Sequence, residues 1–247
     1  MKLLTDYHTH TIYSRLNHGK GTIRENVEEA RRKGLREIWI TDHGPGHLFF
    51  GVDRKKLGQM RDQVDQLNRE YEDIEVYLGL EANIIGLDGS IDVKDEDLFY
   101  LDGLNLGFHT GVLVKDIKTF FHLFIINPLA KFIKPLRGLA REKNTQALIK
   151  AIEKNKIQLI THPSDKYDLD LEVLARACLK RETALEVNSS HGHLSVEDLR
   201  LIDDSQVMLA VGSDAHSPDR VGDLRSALDR IDQAGIDGTR IVNLKEI

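Results

Sequence analysis

Short apolar runs alternate with longer amphipathic, charge-rich stretches along this chain. The runs are Leu3–Tyr7, Glu37–Ile40, Glu75–Leu80, Leu104–Phe108, Ile157–Ile160, Ala184–Val187 and Val207–Val211. Each has the length of a strand, and each is continuously apolar rather than alternating. Such strands are buried on both faces, as in a parallel sheet covered by helices. Between them, Thr22 with Glu25 predicts a capping box that opens a helix over Ile23–Lys33, with Gly34 just past its end. Further helices are predicted over Asp53–Tyr71, Thr145–Lys154, Leu169–Arg181, Ser195–Asp203 and Asp219–Gln233. Strand–helix alternation of this kind predicts βα units that close into a barrel or form an open doubly wound sheet. No repeat, low-complexity tract or linker interrupts the pattern. A single domain over residues 1–247 is expected, a common length for an α/β barrel.

One region breaks the rhythm. Residues 112–141, VLVKDIKTFFHLFIINPLAKFIKPLRGLAR, are apolar, aromatic and locally basic, with Pro128 and Pro135 inside. They read as a pair of short helices packed on the barrel, and equally as an active-site lid, a subunit contact that would make a homo-oligomer, or a membrane-surface patch.

Composition narrows the class. The formal net charge of −6 carries no overall basic footprint of a dedicated nucleic-acid binder. The single cysteine, Cys178, allows neither a disulfide framework nor a thiolate zinc ribbon, and reads as a small buried thiol. No charged segment followed by a long apolar one opens the chain, and no run approaches the length of a spanning helix. A soluble, cytoplasmic protein is the expectation.

Eleven histidines are the outlier of the composition, and their positions matter more than their number. Run one ends at His8 and His10, run two in Thr41-Asp42-His43, run three at Glu81, run four at His109 and run five in Thr161-His162. Run seven is followed by Ser213-Asp214-Ala215-His216. Six of the seven strands thus deliver His, Asp or Glu at their C-terminal ends, which in a parallel barrel share the face where active sites are built. Together with His18, these make nine candidate ligands: His8, His10, His18, His43, Glu81, His109, His162, Asp214 and His216. Imidazole and carboxylate without thiolate suit Zn, Mn or Fe. One tetrahedral zinc takes three or four protein ligands, so nine imply two or three ions. Such a cluster suits hydrolysis at phosphorus. In an extended segment His8 and His10 point the same way and can share one ion. Asp6, expected on the same side, and Asp42 are candidate acceptors for imidazole N–H groups.

All of these but His18 lie in DYHTH (6–10), TDHG (41–44), GLEANI (79–84), GFH (107–109), THP (161–163) and GSDAH (212–216). In that order the set resembles the PHP (polymerase and histidinol phosphatase) superfamily over nearly the whole chain. NTQALIKAI (144–152) and ALEVNSS (184–190) point within it to small stand-alone bacterial phosphatases of the YcdX type. The resemblance implies a distorted (β/α)7 TIM-like barrel with three divalent metal ions. It places His8, His10, Glu81 and Asp214 around one ion, with Glu81 bridging to a second held by His109 and His162. His18, His43 and His216 would hold the third. The loop SRLNHGKG around His18 is about two residues longer than the family's, and the 112–141 segment is also longer than expected.

The expected activity is hydrolysis of a small phosphomonoester, such as histidinol phosphate or another sugar or amino-alcohol phosphate, by a metal-bridging hydroxide. Asp214, Glu81 and His216 are the candidate catalytic residues, and Arg15, Lys166 and Arg220 the candidate holders of substrate phosphate. Two other readings stay open: a phosphodiesterase or exonuclease acting on nucleic acid, and a non-catalytic, metal-stabilised scaffold. The second His-x-His, His191 and His193, reads as loop polarity or substrate contact, His47 as a mouth residue and His122 as packed.

Overall fold

The computed structural model describes residues 2–245. Seven parallel strands form one sheet in chain order: β2 (Thr5–Thr9), β3 (Glu37–Ile40), β4 (Glu75–Asn83), β5 (Gly103–Gly107), β6 (Leu159–Ile160), β7 (Ala184–Asn188) and β8 (Leu209–Gly212). A separate two-stranded ribbon pairs β1 (Lys2–Leu3) with β9 (Leu244–Lys245). The sheet curls into a distorted (β/α)7 barrel. At the C-terminal end β8 meets β2 through the Thr9–Ala215 bridge, with His10 N donating to Ala215 O at 2.8 Å. Lower down the two strands do not pair, and a side chain closes the gap. The Asn243 amide donates to Thr5 O (2.9 Å) and Val211 O (2.8 Å) and accepts from Val211 N (3.0 Å), so these buried backbone groups keep partners.

Helices wrap the outside: α1 (Ile23–Arg32), α2 (Leu57–Glu70), the short α3 (Asp95–Leu98), α4 (Ile117–Phe121), α5 (Asn127–Ala130), α6 (Lys134–Lys154), α7 (Leu171–Lys180), α8 (Val196–Ile202) and α9 (Arg225–Ala234). The Thr22–Glu25 capping box opens α1 as predicted, and Ser195 with Asp198 makes a second one at α8. Ile38, Ile40, Val76 and Leu78 are almost wholly buried, as are Ile23, Val27, Met60 and Val64 of α1 and α2. Burial of this apolar surface drives the closure of helices onto the strands.

Register explains the placement of the first histidines. Asp6 pairs with Ile38 but Thr9 with Ile40, so β2 carries one extra residue against β3. A bulge of this kind breaks alternation. Asp6, at the start of the bulge, accepts backbone amides and no imidazole among the described residues, which corrects the expectation that it would take an imidazole N–H.

The 112–141 segment is a helical hairpin. α4, a π turn (His122–Ile126) and α5 run on continuously, and α6 returns from Lys134, eleven residues before the predicted start at Thr145. The π turn lies just before Pro128, which has no N–H for the helical ladder. A buried polar knot locks the two arms: His122 Nε2 donates to Asn144 Oδ1 (2.8 Å), and Asn144 Nδ2 donates to Asn127 Oδ1 (2.8 Å) and to Asp168 O (3.1 Å). His122 is thus packed, as read from the sequence. No helix among the described residues is long and apolar enough to cross a membrane.

Candidate metal centre

The C-terminal ends of the strands bring all nine candidate ligands to one cleft. Glu81, wholly buried on β4, is its hub. Its Oε1 lies 2.9 Å from His162 Nε2, 3.2 Å from His109 Nε2 and 3.4 Å from His8 Nε2. Its Oε2 lies 2.9 Å from His43 Nδ1 and 3.7 Å from His10 Nε2. Asp214 Oδ1 is 3.2 Å from His10 Nε2 and 3.6 Å from His8 Nε2. His18 Nε2 and His216 Nε2 face each other at 2.8 Å. The long loop before His18 turns through Leu16 and Asn17, both left-handed (φ 55° and 58°), which takes up its extra length. His162 (φ 28°) and Asp214 (φ 51°) also hold positive φ, backbone strain of the kind that collects at functional sites.

The outer hydrogen bonds show what the inward nitrogens carry. His8 Nδ1 donates to Glu186 Oε1 at 2.8 Å. His216 Nδ1 donates to the Asp214 carbonyl at 2.9 Å, which can only accept. Asp92 takes both Asn83 N (2.7 Å) and Asn83 Nδ2 (2.6 Å), so the Asn83 oxygen must be what meets His109 Nδ1 at 2.7 Å. Ser14 Oγ gives its one proton to Asp42 (2.6 Å) and therefore accepts from His10 Nδ1 at 3.3 Å. Each acceptor fixes the tautomer that aims an Nε2 lone pair inward. His8 and His10 then meet lone pair to lone pair at 3.0 Å, beside two carboxylates, and Glu81 Oε2 and His43 Nδ1 are buried without a hydrogen-bond partner. This is a donor set that a cation satisfies. His10–His43–His216, His8–His10–Glu81 and His43–Glu81–His109 each gather three ligand atoms within 4.8 Å of one another.

The electrostatics agree. Burial, then neighbouring imidazoles, push His10 well below its ordinary value and His18 to about 3; burial against a partly offsetting Glu81 leaves His109 at about 4. These rings are neutral at neutral pH and offer lone pairs. Burial would raise Glu81 and Asp214, but the histidines around them hold both well below the usual carboxylate range. His8 goes the other way: Asp214, Glu186 and Glu81 outweigh its burial and raise it well above the usual range.

The outer residues differ in part from expectation. Asp42 acts on His10 through Ser14. Asp6 binds backbone amides, those of His8 (3.3 Å), Ser213 (3.1 Å) and Gly222 (2.8 Å), rather than an imidazole. Glu186, Asn83 and Asp92 were missed. Glu186 sits in run six, the one run that seemed to bring no ligand, and a lone carboxylate in an otherwise apolar buried strand was the available signal. The cleft has a volume of about 740 Å³, and Lys166 lines it along with Lys20, which sequence reasoning missed. Arg15 and Arg220 do not line it: Arg15 reaches the carbonyls of His47 and Leu48, and Arg220 pairs with Asp223 at 2.8 Å. His47 and His191 line the mouth, with His191 Nε2 at 3.1 Å from Asp214 Oδ2. His193 faces Asp165 at 3.5 Å.

The chain is similar to known proteins over its whole length. A "Probable phosphatase" of Shewanella sediminis is 31% identical over 257 residues, covering 98% of this chain and 90% of that protein. Another "Probable phosphatase", from Citrobacter koseri, is 29% identical over 253 residues, covering 97% of this chain and 89% of that protein. Among solved structures, the histidinol phosphate phosphatase of Lactococcus lactis, complexed with Zn, L-histidinol and phosphate, shares the fold. Its TM-score is 0.63 at 19% identity, over 95% of this chain and 94% of that one. The model of the PHP domain matches residues 6–196, and with the barrel and its histidine-lined cleft the chain belongs to the PHP domain family.

Proposed function

We propose that this PHP-domain phosphatase hydrolyses the phosphomonoester of a small molecule at a site for three divalent metal ions, whether zinc, manganese or iron. The observation that carries the reading is the convergence of oriented Nε2 lone pairs on the ionised Glu81 and Asp214. His8, His10, Glu81 and Asp214 would hold one ion, Glu81 with His109 and His162 a second, and His18, His43 and His216 the third. Divalent ions bound there would lower the pKa of a water and offset the charge of the phosphoryl oxygens.

The chain's own groups do the rest. Glu81 holds two ligand sets in register. Lys20 and Lys166, at the cleft wall, would receive substrate phosphate, in place of Arg15 and Arg220. His191, half exposed and held by Asp214, is placed to carry a proton between cleft and solvent, and Asp214 also lies beside His216, with Oδ1 3.6 Å from His216 Nδ1. Histidinol phosphate, or another amino-alcohol or sugar phosphate, is the proposed substrate class, supported by what the Lactococcus protein binds. The reading takes 1–247 as one cytoplasmic domain, with the exposed apolar edge of the 112–141 hairpin as a contact between copies.

The test compares turnover of a phosphomonoester and a phosphodiester by metal-reconstituted protein, with His8→Ala as the control. Monoester turnover that vanishes in the variant supports the proposal. Preference for the diester moves the reading to a nuclease, and turnover of neither by metal-loaded protein moves it to a scaffold.

A further inference from the structure

We propose that the cavity beneath the 112–141 hairpin is a second substrate subsite, one that takes an apolar chain ending in an anionic group while the phosphomonoester lies in the metal cleft. The inference rests on the phosphatase reading and extends it to substrate class.

The cavity has a volume of about 550 Å³, within the range of small-molecule sites. It adjoins the metal cleft, since Thr110 and Lys166 line both. Apolar side chains form one part of its wall, Leu123, Phe124 and Pro128 from one arm, Ala140 from the other and Tyr167 from the loop after β6, and charged ones form the rest. Ala130 and Ala140 face it with side chains of one carbon, which leaves the space open. The His122–Asn144–Asn127 knot fixes the two arms, so the cavity is held open by buried hydrogen bonds rather than by loose packing.

Charge at its edge is unbalanced. Arg141 is neutralised by Asp168 at 3.0 Å. Among the described residues, Arg137 donates only to backbone carbonyls, those of Ala130 (3.1 Å) and Lys131 (2.9 Å). Lys131 is exposed and has no ion pair among the described residues. Two cations are therefore left for an incoming anion. Tyr167 lines the cavity from the side of the metal cleft's loop, next to Lys166, which lines both. A phosphate ester of a short polar alcohol would leave all of these unused. An ester whose alcohol carries several methylenes and a distal carboxylate or phosphate would use them.

The test measures phosphate release from ethyl, octyl and ω-carboxyoctyl phosphate by the metal-reconstituted chain, which keeps the ester chemistry alike and varies the tail. The ratio of kcat/KM for the carboxyoctyl over the ethyl ester is expected to be about tenfold or more. Lys131→Glu, on the surface, should collapse that ratio by about tenfold, and Ala130→Leu should lower both octyl esters relative to ethyl phosphate. A ratio near unity, or one that Lys131→Glu leaves intact, overturns the subsite. If no ester turns over, it is the phosphatase reading that has failed. Calorimetric binding of ω-carboxyoctylphosphonate against ethylphosphonate then decides the cavity by itself: tighter binding lost in Lys131→Glu upholds it, and equal affinity overturns it.

Discussion

Glu186 Oε1 stands 2.8 Å from His8 Nδ1, and its other oxygen accepts the backbone amide of His162 at 2.6 Å. One buried carboxylate on β7 thus orients a candidate ligand of the first ion and the backbone of a candidate ligand of the second. Glu186→Gln keeps the shape but weakens the acceptor, and is expected to lower metal affinity and activity by about 10–100-fold with little change in fold. Titration of apoprotein with zinc, beside circular dichroism, checks this; unchanged affinity would remove Glu186 from the site. Gly212→Ala should act similarly, because a Cβ there would collide with Glu186 Oε1.

Metal removal should destabilise the protein as well as silence it. Without cations the paired Nε2 atoms of His8 and His10 (3.0 Å) and of His109 and His162 (3.2 Å) must repel or take up protons in a buried site. Exhaustive chelation is expected to lower Tm by on the order of 10 °C, with recovery on adding zinc or manganese. His18→Ala should reduce bound metal by about one ion per chain by elemental analysis, since His18 is proposed as a direct ligand of the third ion. A full complement in that variant would take His18 out of the ligand set.

The hairpin should loosen in mild acid. His122 gives its Nε2 proton to Asn144 and keeps a buried, unpartnered Nδ1, and burial lowers its pKa. The folded state therefore favours the neutral ring. Its contribution is complete above the unfolded histidine value of about 6.5 and is lost as pH falls from there through the lower folded value. Amide protection factors over 117–144, which normalise exchange to its intrinsic rate at each pH, should fall across that window, and His122→Gln should abolish that fall. Protection that is flat with pH in the native chain would contradict this.

The hairpin's outer edge should be sticky. Phe132 is 85% exposed, Ile117 66% and Leu113 64%, in a segment that also carries six lysines and arginines. Apolar area of this size is rarely left bare. Light scattering is expected to show self-association that Phe132→Asp weakens about tenfold. A monomer at all concentrations would leave this edge without its proposed partner.

Residues 6–10, 41–44, 81, 109, 161–163 and 212–216 made the barrel and eight of the nine candidate ligands legible, with His18 added from the loop after the first strand. Strand ends in a parallel barrel share one face, so ligands at the ends of apolar runs converge whatever their separation in sequence. The capping box at Thr22 was legible because it is local, set by side chains three residues apart. What joins distant segments was not. The β2 bulge between Asp6 and Thr9 depends on pairing with β3. Glu186, Asn83 and Asp92 gain their meaning only when folding brings each against a particular ring. The cavity under the hairpin exists because Asn127 and Asn144 meet across its two arms. Periodicity and composition determined which residues are inside and which end of each strand carries chemistry. Register and side-chain hydrogen bonding, long-range properties of the packed chain, decided which atoms face one another.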